Sequence, residues 1–205
     1  MKKLNFLYLF FVLFSFSSSQ NFNENIKNSR MGLYISPAIN FIGADETLLE
    51  TSNNPGIIYG YAFEIPLSEN HYIESGFAIS HKGGGLTTIT NNEANQNSVT
   101  SNYKVQYLTI PAFIKMRSRE IGRIFYFARI GPSLNFMTKE SNNQNKTTAF
   151  PVIDISIFIG AEYSLGGATS AEASLFFNNG ITDAISGTNI DALFHQIGLR
   201  FGFLF

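Results

Sequence analysis

From residue 31 onward, large apolar side chains alternate with small or polar ones along most of the chain. That is the signature of β-strands, because successive side chains of a strand point to opposite faces. The C-terminal segment shows it most clearly: Ile197, Leu199, Phe201, Phe203 and Phe205 occupy one parity, and Gln196, Gly198, Arg200 and Gly202 the other. Upstream, Ile153, Ile155, Ile157, Ile159, Ala161 and Tyr163 stand against Asp154, Ser156, Phe158, Gly160, Glu162 and Ser164. In 169–179, Ala171, Ala173, Leu175 and Phe177 stand against Glu172, Ser174, Phe176 and Asn178. Segments 32–42, 56–67, 70–82, 103–116 and 122–137 repeat the pattern, although Phe125 and Phe127 soften it in the last of them. The periodicity predicts about eight strands.

The links between these segments alternate in length. Short ones fall at 68–70, 118–121 and 166–168; long, Asn-rich ones fall at 43–55, 83–102, 138–150 and 180–192. Outer-membrane barrels have tight periplasmic turns and longer external loops, so a chain entering from the periplasm places every long link outside and both termini inside. The fold class expected is all-β: a closed antiparallel up-and-down transmembrane β-barrel of about eight strands.

Composition sharpens this. Only 14% of residues are charged, there are 21 phenylalanines, and the net charge is −1; a soluble domain carries roughly a quarter charged residues. Near-neutrality argues against a nucleic-acid partner, which requires a basic surface. With no cysteine, disulfides and thiolate chemistry are excluded. A soluble β-sandwich or a periplasmic lipophile-binding barrel also alternates, but would carry charge on its outer face. Here the face opposite the apolar one mixes glycine, serine and isolated ions, which suits an enclosed lumen better than a water-exposed surface.

At the N-terminus, Lys2 and Lys3 precede an apolar run from Leu4 to Phe16 and the small residues Ser17, Ser18 and Ser19. The run is shorter than the ~20 residues needed to cross a bilayer as a helix, so residues 1–19 read as a signal peptide. Residues 20–30 form a polar lead and 31–205 the barrel domain.

The motif Tyr107-Leu108-Thr109-Ile110-Pro111-Ala112-Phe113-Ile114-Lys115 resembles the Tyr-Leu-x-Ile-Pro-Leu-Leu-x-Lys signature of PorT-like outer-membrane β-barrel proteins of Bacteroidota. Gly131-Pro132-Ser133 and the segment 179–185 are similar to further features of that family. Phe205 resembles the C-terminal aromatic of many outer-membrane proteins, which implies recognition by the barrel-assembly machinery. The resemblance implies a fold and a compartment, the bacterial outer membrane; the secretion or gliding role assigned to a few members is not carried over.

Candidate site residues share the lumen parity: Glu64, Glu74, Asp154, Glu162 and Glu172 against Lys82, Lys115, Arg123, Arg129 and Arg200. The interior of an eight-stranded barrel is just wide enough to be filled by side chains. The ions are therefore expected to pair as a plug, because an unpaired buried charge is costly. The competing readings are a narrow ion path and acid–base catalysis by paired carboxylates. His71 and His81 lie at opposite ends of one strand, too far apart at ~3.3 Å per residue to share a metal. An outer-membrane acyl transferase or protease needs a hydroxyl nucleophile, a base and an orienting group together at the external rim, and His81 or His195 beside Ser186 is the only candidate. Gly83-Gly84-Gly85 lacks the Gly-Lys-Ser/Thr of a phosphate loop. Gly56 with Gly60 and Gly198 with Gly202 leave room for bulky lumen neighbours. Asn145-Lys146-Thr147 is a chance sequon in an Asn-rich loop.

The chain is thus expected to be non-enzymatic and without cofactor or metal, a structural or interaction component of the envelope acting through its loops. The alternatives are a narrow channel for a small solute and a soluble periplasmic lipophile-binding barrel. Expected partners are outer-membrane lipid, the barrel-assembly machinery through Phe205, and other envelope proteins.

Overall fold

A computed structural model describes residues 29–44, 49–92, 95–142, 151–182 and 192–205. The expected signal peptide lies outside them. The strands are β1 (Arg30–Ala44), β2 (Leu49–Ser52), β3 (Asn54–Ser68), β4 (His71–Asn92), β5 (Asn95–Arg117), β6 (Ile124–Asn142), β7 (Val152–Gly166), β8 (Thr169–Gly180) and β9 (Ala192–Leu204). All pair antiparallel with their sequence neighbours, except that β2 pairs with β4. β1 pairs with both β3 and β9, which closes eight staves into a barrel. At the seam, Met31 and Phe205 exchange backbone hydrogen bonds of 2.9 and 2.7 Å, so the last residue is tied to the first strand and the two end staves cover each other's edges.

Strand alternation decides which face is which. Ile155, Ile157 and Ile159 of β7, Leu175 and Phe177 of β8, and Ile197, Leu199, Phe201 and Phe203 of β9 are exposed, whereas Asp154, Ser156, Phe158 and Glu162 between them are buried. The apolar face is the outer wall, a continuous belt suited to hydrocarbon. Among the described residues no helix is long and apolar enough to cross a membrane; strands do the crossing.

The short links are tight turns, at Glu69–Asn70 and Gly167–Ala168 among others. The long link expected at 83–102 is not a loop over its whole length. β4 and β5 continue through it as one hairpin, paired from Gly83↔Lys104 to Asn92↔Asn95. β2 supplies a third strand, Ser52↔Gly85 to Leu49↔Thr88, and β6 extends to Asn142 beside Tyr103. The backbone therefore carries a β-structured extension beyond the apolar belt at the end opposite the termini. In 83–102, runs of threonine, serine and asparagine, with only Leu86, Ile89 and Val99 as large apolar residues, gave no alternating period to read, yet cross-strand backbone pairing needs none.

Candidate functional site

The inward side chains stack in three layers between the end that holds the termini and the opposite end. Nearest the termini is an ionic layer of four carboxylates, Glu64, Glu74, Glu162 and Glu172, and five cations, Arg30, Lys115, Arg117, Arg129 and Arg200. β3, β4, β7 and β8 present the acids; β1, β5, β6 and β9 present the bases. Lys115 lies 2.5 Å from Glu64, 3.1 Å from Glu162 and 3.5 Å from Glu172. Glu74 and Glu172 each span the two guanidinium groups of Arg129 and Arg200, at 2.9–3.0 Å. At the mouth, Arg30 bridges Glu64 at 2.6 Å and Glu162 at 2.5 Å, and Arg117 reaches Glu162 at 3.0 Å. Glu64, Lys115 and Arg129 have no solvent exposure. In so dry a place only mutual compensation makes the charges tolerable.

The second layer is apolar. Phe113, Phe158 and Phe176 pack with Ala38, Ile58 and Ala78, the rings of Phe158 lying 5.3 and 5.4 Å from those of Phe113 and Phe176. The guanidinium groups of Arg129 and Arg200 sit 5.0 and 5.6 Å from the Phe158 ring, and Arg200 lies 3.6 Å from the ring of Tyr34. Lys115 and Arg129 also face Phe127 at 4.6 and 4.9 Å. The aromatic residues that blurred the alternation thus serve as cation–π partners for the ionic layer. Glycine makes the space: a Cβ on Gly198 would lie 2.9 Å from Phe176 and 2.9 Å from the Ala38 backbone.

The third layer is polar and lies toward the extension. Lys82 pairs with Asp154, which also accepts from Asn135 Nδ2 at 2.8 Å. Asn178, Gln196 and Asn40 form a chain at 3.1 and 2.6 Å. Asp154 Oδ1, Ser80 Oγ and Asn178 Oδ1 have no hydrogen-bond partner among the described residues, and all three residues line a chamber of about 30 Å³, space enough for a water molecule.

Of the residues singled out from the sequence, Glu64, Glu74, Lys115, Arg129, Glu162, Glu172 and Arg200 meet in the first layer. Asp154, with Lys82, is held apart from them by the phenylalanines, so the lumen ions form two groups and not one plug. Arg123 belongs to neither. It is exposed, at a positive φ of 72° in the tight link before β6, where its carbonyl accepts from Ser164 N at 2.8 Å. β6 starts at Ile124, and parity cannot be carried backward through a turn. Arg30 and Arg117 were missed, although each lies two residues beyond a lumen position, Gly32 and Lys115, so one further step of the same period would have reached them.

The histidines are dispersed. His71 bonds Ser68 Oγ in a turn at 2.9 Å, His81 stacks on Tyr59, and His195 stacks on Phe41 and Phe177. Ser186 lies outside the described residues. Among the described residues no three His, Cys, Asp or Glu side chains are grouped so as to hold a metal ion.

No curated protein sequence matches the chain. Among solved structures it is similar to neisserial surface protein A, with 11% identity over 84% of this chain and 96% of that one, at a TM-score of 0.48. OprG of Pseudomonas aeruginosa shares 7% identity over 84% and 95%, at 0.49. Ail, the attachment invasion locus protein of Yersinia pestis, shares 12% over 86% and 99%, at 0.42. The outer membrane protein beta-barrel domain family matches residues 10–186, most of the chain, and in keeping with its closed eight-stave barrel, apolar outer wall and enclosed charges, this chain belongs to that family and resides in the bacterial outer membrane.

Proposed function

We propose that the barrel is a closed, non-enzymatic component of the outer membrane that acts through what it presents on either side, and not by conducting solute. The observation that carries this is the three-layer filling: a compensated ionic cluster, a phenylalanine septum and a hydrogen-bonded polar layer follow one another along the lumen. Each carboxylate of the ionic layer is engaged by at least two cations, which leaves none as a free general base. The extension built from β2, β4, β5 and the end of β6 is the surface offered to other envelope proteins. Phe205, exposed beside the seam, is the element offered to the barrel-assembly machinery. The Tyr107–Lys115 motif supports membership of the PorT-like group within the wider family: Tyr107, Phe113 and Lys115 point inward and are buried, Lys115 in the ionic layer, Phe113 in the septum, and the ring of Tyr107 5.5 Å from Lys82 of the polar layer.

Conductance across a planar bilayer tests this reading. The purified barrel is expected to give no steady openings. Reproducible unitary currents from the wild-type protein would refute it in favour of the narrow channel.

A further inference from the structure

The ladder between the third and fourth staves is interrupted on the side of the extension. β3 pairs with β4 up to Ile57↔His81, and β2 resumes at Ser52↔Gly85, leaving Lys82, Gly83 and Gly84 with no ladder partner on that side. Pro55, in the gap, has no N–H to donate. The opening is a cleft of about 400 Å³ whose lining includes Pro55, His81, Lys82, Lys104, Gln106 and Lys139. Lys104 and Lys139 are exposed and make no ion pair among the described residues; Lys104 shares the outward parity of Leu108, and Lys139 is brought opposite the outward Gln106 by a β-bulge in the β5–β6 ladder. Lys82 on the cleft floor is committed to Asp154.

Two residues down the same strands, the outer wall holds an apolar groove of about 420 Å³ lined by Leu33, Tyr59, Tyr61, Phe77, Ile79 and Leu108. Groove and cleft adjoin where Tyr59 stacks on His81, ring centroids 6.0 Å apart. Cations therefore stand above a hydrocarbon-facing groove, at the rim where the belt ends and the extension begins; with the longer links external, as in outer-membrane barrels, this is the headgroup level of the outer leaflet.

We propose that this cleft and groove form one binding site for an outer-leaflet lipid with a phosphate-bearing headgroup, the phosphate held by Lys104 and Lys139 and an acyl chain lying along the Tyr59–Phe77 groove. Charge complementarity selects the anion. The continuous apolar floor selects a lipid over a free phosphate, and the dispersed, solvated lysines leave affinity for inorganic phosphate low. The site is on the outer wall and is independent of whether the lumen conducts.

The test is native mass spectrometry of the full-length mature barrel in detergent, titrated with bisphosphorylated lipid A, with the same lipid stripped of its phosphates, and with inorganic phosphate as competitor. Phosphorylated lipid is expected to bind at one saturable site and the dephosphorylated lipid about 30-fold more weakly, from roughly 1 kcal/mol for each lysine near the surface. The double variant K104Q/K139Q should lose the same factor, whereas R123Q at the opposite end should not. Heat-modifiable migration verifies that each variant is folded. Equal binding of the two lipids, unchanged binding by K104Q/K139Q, or displacement by inorganic phosphate at lipid-like concentrations would each overturn the proposal.

Discussion

Replacing Lys115 by methionine removes the most heavily shared cation of the ionic layer while keeping a side chain of similar length against Phe127. Lys115 has no solvent exposure and touches Glu64, Glu162 and Glu172 at 2.5, 3.1 and 3.5 Å. Glu64 retains Arg30, Glu162 retains Arg30 and Arg117, and Glu172 retains Arg129 and Arg200. The loss is therefore partial for each carboxylate, yet it falls on three of them at once in a place water does not reach. Breaking a buried ion pair from one side costs about 3–5 kcal/mol, and the surviving guanidinium groups argue for the lower end. With ~2 kcal/mol per molar urea, the unfolding midpoint in lipid vesicles should fall by roughly 1.5–2 M. The chain has no tryptophan, so the transition is followed by far-UV circular dichroism and by heat-modifiable migration. A double-mutant cycle with Glu64→Gln, which neutralises the nearest partner, should give a coupling of about 1–3 kcal/mol, K115M/E64Q being less damaged than the sum of the singles. A midpoint for K115M within error of the wild type, together with additive singles, would refute the claim that these charges depend on one another.

Further outcomes follow from the other layers and from the outer wall. Phe176→Ala, which opens the buried septum, should cost about 3–5 kcal/mol on the same urea titration. Ile157→Arg places a charge on the exposed face of β7 and should cost about 2–4 kcal/mol near the bilayer midplane; a cost near zero would mean that this face meets water. Gly198→Val should yield no heat-modifiable species, because the added methyl groups have to enter the space held by Phe176 and Ala38. Deleting Phe205 should lower the folded fraction recovered from outer membranes, and refolding of the purified chain into vesicles should proceed, which separates recognition during assembly from the loss of two seam hydrogen bonds.

The parity of apolar residues in β7, β8 and β9 was enough to assign the belt, because a period of two leaves only one way to segregate Ile157 and Leu199 from Glu162 and Arg200. The alternating link lengths then implied up-and-down order, and the lumen location of seven ions of the first layer came from parity alone. What the linear pattern lacked was height along the barrel axis. Asp154, Phe158 and Glu162 share a parity at four-residue steps on β7, but only the stagger of neighbouring staves reveals that Phe113 and Phe176 join Phe158 at the level between the two acids. Arg123 was misplaced for a related reason: parity holds only within an unbroken strand. The notch at Pro55 depends on a ladder that skips residues between β3 and β4, and the outward placement of Lys139 on a bulge in the ladder between β5 and β6. Sequence alone thus determined which side of each strand faces lipid, since that is a property of one strand at a time; tertiary structure decided which charges meet, how the lumen is divided and where the wall opens, since these depend on the register between strands.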